Sequence, residues 1–172
     1  GNGSTDKGSG RPLQVNDLED VSSVSVGTGT ADKVAFTQFC AVASGDVYCW
    51  GADFTDDATK PSSQETPRQV TGIPGTAYTV SADVDTKCAT ADDDVYCWGN
   101  DRLAQAGGAG SSDVLRAPSK IAGLGKVTAV MTGTSTSCAV SDGDVYCWGF
   151  NKDGRVGDGS ASEKVTQPVK AV

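Results

Sequence analysis

Apolar residues along the chain alternate in short runs, and the sharpest run occurs three times: Asp-Val-Tyr-Cys-Trp-Gly stands at 46–51, 94–99 and 144–149 without a change. Extended, this run puts Val47 and Cys49 on one face and Tyr48 and Trp50 on the other. Tyr96 with Trp98 and Tyr146 with Trp148 repeat the arrangement. A sheet with one wet side would show a polar residue at every second position, so two apolar faces predict a strand held between neighbouring layers. The six Tyr and Trp side chains are accordingly assigned to the core between layers. Val21 to Val26, Ala77 to Val84 and Lys126 to Met131, rich in Val, Ala, Thr and Ser, predict a further strand ahead of each unit.

The hexapeptides recur at intervals of 48 and 50 residues, a propeller-blade spacing and longer than most helical or leucine-rich solenoid units. Nine positions before each hexapeptide cysteine stands another, giving Cys40 with Cys49, Cys88 with Cys97 and Cys138 with Cys147. A two-residue turn at Ser44-Gly45, Asp92-Asp93 or Asp142-Gly143 would fold each stretch into a hairpin, and Asp-Gly is a strong signal for such a turn. Counting outward from the turn, each cysteine pair falls on a non-hydrogen-bonded rung, where side chains approach most closely. Three cross-strand disulfides follow from that register. Zinc would require Cys-x-x-Cys knuckles or histidine partners, and the sequence has neither. Disulfides persist in oxidising compartments, which predicts an extracellular or cell-surface location.

A glycine-rich loop, a proline and a short apolar segment trail the hairpins, at 67–70, 118–121 and 168–172, and a fourth such segment at 12–15 has no hairpin before it. These read as strands. An unmatched strand leaves a bare sheet edge that invites another chain, so Pro12, Leu13 and Val15, with Pro168, Val169 and Val172, are expected to be assembly strands. The chain is predicted to be one repeat domain, 1–172. In it, 1–20 form the trailing loop and strand of a preceding unit, and 21–70, 71–121 and 122–172 are three repeats. The expected fold is all-β, with β-propeller-like blades of antiparallel strands in an incomplete ring or open array, each hairpin stapled by a disulfide.

Composition narrows the chemistry. The 172 residues include 22 glycines and no histidine, and their net charge is −8. Without histidine there is no serine or cysteine hydrolase of the usual pairing and no imidazole metal ligand. The acidic balance disfavours nucleic acid and anionic membranes, and no apolar run has the length of a membrane helix. No cofactor, nucleic-acid partner or membrane insertion is expected. Asp53, Asp56, Asp57 and the cluster Asp92 to Asp94 are the remaining acid/base candidates, but the cluster coincides with a hairpin tip, where Asp is favoured for local hydrogen bonds. Asn151 to Asp158 is spaced somewhat like a calcium loop without its closing bidentate Glu. Asn2-Gly3-Ser4 is a glycosylation sequon.

Cys-Ala-Val, a turn, Val-Tyr-Cys-Trp-Gly, then Asn151-Lys152-Asp153-Gly154-Arg155-Val156-Gly157-Asp158-Gly159 and a late Pro-Val together resemble the regulator of chromosome condensation repeat, in the cysteine-bearing form typical of secreted bacterial proteins. The third unit matches best, the second keeps Gly108-Ala109-Gly110-Ser111, and the first loop, 51–67, has lost the glycine pattern. The resemblance implies four-stranded blades around an axis, commonly seven of them. The identical hexapeptides, the disulfides, the missing histidine and the unmatched first strand point to a non-enzymatic extracellular module that self-assembles, as in a polymer or filament, or binds other proteins, the expected partner being other copies of itself or the rest of a longer chain. The alternative is a secreted inhibitor or adhesin presenting propeller loops, like a β-lactamase inhibitor of the family, with Phe54 and Phe150 as candidate contacts. Nucleotide exchange on a small GTPase, the activity of the eukaryotic namesake, conflicts with the disulfides and the acidic surface.

Overall fold

A computed structural model of the chain describes Gly3 and residues 10–31, 34–53, 62–83, 85–108 and 113–172. Twelve strands among these residues form three separate antiparallel sheets. Blade 1 holds β1 (Val21–Ala31), β2 (Val34–Ala43), β3 (Asp46–Asp53) and β4 (Ser62–Gln69) in that order. Blade 2 holds β5 (Ala77–Ala82), β6 (Thr86–Ala91), β7 (Asp94–Asn100) and β8 (Val114–Lys120). Blade 3 holds β9 (Val127–Gly133), β10 (Thr136–Ser141), β11 (Asp144–Phe150) and β12 (Lys164–Lys170), with a short 3-10 turn at Lys152–Gly154. The all-β expectation of stapled blades in an open array therefore holds.

The hairpin register follows from the turns. Ser44 and Gly45 have φ of 50° and 82°, and Asp142 and Gly143 have 52° and 85°, the paired left-handed conformations that match the twist of flanking strands. On the fourth rung from the turn, Cys40 faces Cys49, Cys88 faces Cys97 and Cys138 faces Cys147, and each pair is bridged across a Cα separation of 4.1 Å. The glycine ending every hexapeptide is fixed by space as well as by conformation. At Gly99, φ is +102° and a Cβ would lie 2.1 Å from the Asp85 carbonyl oxygen.

The outer strands differ from expectation in where they begin. β4, β8 and β12 start well before their prolines, and the register jumps across Pro67, Pro118 and Pro168. Proline donates no ladder hydrogen bond, so an edge-strand irregularity is where it is tolerated. Pro12 to Val15 is a larger difference, because it forms no strand at all in this chain. Each outer strand pairs with the third strand of its own blade.

The innermost strands β1, β5 and β9 pack on one another in sequence, joined by hydroxyls. Ser23 and Ser25 on β1 accept hydrogen bonds from the backbone N–H groups of Val80 and Ala82 at 3.3 and 2.9 Å. Ser81 on β5 accepts one from the Thr132 N–H at 2.9 Å. The Ser and Thr content of these strands thus satisfies backbone donors that the sheet ladder leaves over.

Candidate protein-binding surface

Two internal junctions define how blades recognise each other. Between blades 1 and 2, Cys40, Val42 and Val47 pack against Val80, Ala89, Tyr96 and Trp98. Between blades 2 and 3, Cys88, Val95 and Cys97 pack against Val130, Ala139 and Trp148. In both, the Val/Cys face of one blade meets the Tyr/Trp face of the next. Among the described residues, no other blade packs on the Tyr/Trp face of blade 1 or on the Val/Cys face of blade 3.

Equivalent positions measure this directly. Val80 and Val130 are 6% and 7% exposed, whereas Val24, their counterpart in blade 1, is 68% exposed. Val47 and Val95 are 2% and 1% exposed, whereas Val145, their counterpart in blade 3, is 46% exposed. On the blade 1 face, Trp50 is nonetheless buried and stacks on Phe39 with ring centroids 5.7 Å apart, while Tyr48 is half-buried. Tyr146 is likewise half-buried, and Tyr96, Trp98 and Trp148 are buried.

The loops after the hairpins lock the second junction. Ser137 Oγ and Trp148 Nε1 both donate to the backbone oxygen of Gln105, at 2.7 and 3.1 Å. Asp101 and Asn151 hold their loops from equivalent buried positions. The Oδ1 atoms accept from Ala106 and Val156 N–H groups at 2.9 and 3.0 Å, and Asn151 Nδ2 donates to Ser160 Oγ at 3.1 Å. The calcium-like spacing of 151–158 is therefore a self-bonded turn. The described residues contain no cluster of three or more metal-ligating side chains.

At the first junction the position of Ser137 is taken by Lys87. Its ammonium group is buried 3.8 Å from Asp53 Oδ1, and burial pulls its pKa down from 10.5 to about 8 against the attraction of Asp53, Asp85 and Asp83. Lys87 Nζ and the buried Gln38 Oε1 have no hydrogen-bond partner. Nearby, a cavity of about 220 Å³ is lined by Gln38, Trp50, Asp53, Arg68, Trp98 and Arg116 among others.

The carboxylates at the second hairpin tip are structurally engaged. Asp92 Oδ1 accepts from the Thr76 N–H at 3.1 Å, Asp94 pairs with Lys120 at 2.7 Å, and Asp93 lies 3.8 Å from Lys126. Of the trailing residues, Val169 packs against the cluster of Cys147, Val156 and Val165, Leu13 and Val172 are exposed, and Pro12 and Val15 lie outside any sheet. Asn2, Phe54, Asp56 and Asp57 lie outside the described residues. Phe150 is covered on one side by the Arg155 guanidinium, 4.8 Å from the ring centroid.

Residues 142–171, the second half of blade 3, match the family profile of the Regulator of chromosome condensation (RCC1) repeat. The match covers that half-blade alone. A likeness of fold to solved structures extends over the other blades. Human WBSCR16 superposes with a TM-score of 0.76 at 21% identity, over 94% of this chain and 40% of that one. Prp20p from Saccharomyces cerevisiae gives 0.68 at 18% identity, over 78% and 36%. Yeast RCC1 (Prp20) bound to Kap60 gives 0.68 at 17%, over 86% and 36%. The chain thus spans about two-fifths of the length of these propellers, and at such identities the likeness is one of fold. No curated protein sequence matches it.

Proposed function

We propose that this RCC1-repeat chain is an extracellular, non-enzymatic module that binds protein, other copies of itself included. The observation that carries the reading is the exposure of Val24 and Val145 at positions the internal junctions bury. Val24 and Val145 place apolar surface on the outer faces of blades 1 and 3, and such surface marks interaction sites, for another protein, another copy or the rest of a longer chain. The three disulfides favour an oxidising compartment. Protein binding agrees with the neighbours, since Prp20p is described with its binding to Gsp1p and histones, and yeast RCC1 with Kap60 bound. Size-exclusion chromatography with light scattering on the oxidised chain is the test. Mass rising above the monomer with concentration is expected, and a monomer that also captures no protein partner would overturn the proposal.

A further inference from the structure

We infer that the cavity between blades 1 and 2 is a binding site for a small carboxylate that carries an N–H group next to its acid. The cavity, about 220 Å³, takes its walls from both blades: Gln38, Asp53 and Arg68 from the first, Trp98, Arg116 and Pro118 from the second. It lies within the chain's own junction. At roughly 30 Å³ per water, that volume suits a molecule the size of N-acetylglycinate.

Gln38 defines one half of the ligand. It is 2% exposed, yet its Oε1 accepts no hydrogen bond. On the same rung of blades 2 and 3 stand Thr86 and Thr136, whose hydroxyls donate to the backbone oxygens of Asn100 and Phe150 at 3.0 and 2.8 Å. The longer Gln38 is the exception, and a buried acceptor left open carries a desolvation penalty that a ligand N–H removes.

The arginines define the other half. Arg68 and Arg116 bring two guanidinium groups to one cavity in a chain whose net charge is −8. Asp53, the carboxylate on the same wall, already faces the Lys87 ammonium at 3.8 Å. The lining thus offers an incoming group cationic forks suited to bidentate recognition of a carboxylate. An acid and a donor on one small molecule answer both features at once.

Tryptophan fluorescence and calorimetry on the oxidised chain, titrated with N-acetylglycinate, propionate and N-acetylglycinamide, test the site. Both carboxylates should saturate, N-acetylglycinate about three- to tenfold more tightly, and the uncharged amide should bind about tenfold or more weakly than its acid. Arg68→Gln, at an exposed position, should weaken both carboxylates by about tenfold. Gln38→Met should abolish the preference for N-acetylglycinate while propionate still binds, which shows that the variant is folded. Acetyl-tetraglycine, the same acid on a longer chain, should bind more weakly; equal binding would move the assignment from a free small molecule to a polypeptide chain end. No saturable response of the parent chain to either carboxylate would overturn the inference. So would an amide bound as tightly as its acid, binding indifferent to Arg68→Gln, or a Gln38→Met variant that keeps the preference. Val24 and Val145 take no part in this site, so its failure leaves the protein-binding reading standing.

Discussion

Lys87 occupies the repeat position held by Phe39 in blade 1 and Ser137 in blade 3, and it brings a charge into a dry junction. Its pKa is 10.5 unfolded and about 8 folded. Below pH 8 both states are protonated and the native one bears the burial penalty. Between pH 8 and 10.5 the native state releases its proton first, so stability rises through that window by about 3 kcal/mol at most. Urea unfolding at pH 7 and pH 10 should show this gain in the parent chain relative to Lys87→Met, which removes the titrating group. At pH 7 the Met variant should be at least as stable, since an apolar side chain of similar length suits a dry site better than a charge without hydrogen bonds. Gly99→Ala should cost about 1–3 kcal/mol, because the left-handed φ and the Asp85 carbonyl both oppose a Cβ. That the residue is glycine was visible in the repeat; that a carbonyl of the preceding turn stands against it was not.

The hairpins are the elements whose geometry was legible, because every constraint on them is local: turn residues, period-two alternation and two cysteines within ten residues. Removing the central staple as Cys88→Ala with Cys97→Ala should cost about 2–3 kcal/mol by the loop-closure estimate, read as a fall in urea midpoint. The loop at 151–160 makes a second element-scale prediction. Asn151→Ala leaves the Val156 N–H without its acceptor, a loss of about 1–3 kcal/mol, and proteolysis should then cut first within 151–160. The outer strands were less legible. Their sequences, such as Ser62–Gln69, carry little apolar signal and a proline, and only the partner strand with its register jump decides where pairing starts. Pro12 to Val15 has strand-like sequence but pairs with no strand among the described residues.

At the scale of the molecule, one residue type at one repeat position has two values. Val95→Ala should cost about 2 kcal/mol by opening the packed second junction, whereas Val145→Ala on the open face should stay within about 0.5 kcal/mol, both read from urea midpoints of the monomer at low concentration. The hexapeptide is identical in the two blades, so no property of the strand alone separates them. The sequence by itself determined the blade: three hairpins, their disulfides, two apolar faces per sheet and an all-β class, because those features depend on contacts within a few dozen residues. The tertiary structure alone decided which faces meet. It also decided that Lys87 is buried and that Gln105 caps Trp148. Those facts arise between blades, where the environment of a residue is set by a neighbour about fifty positions away.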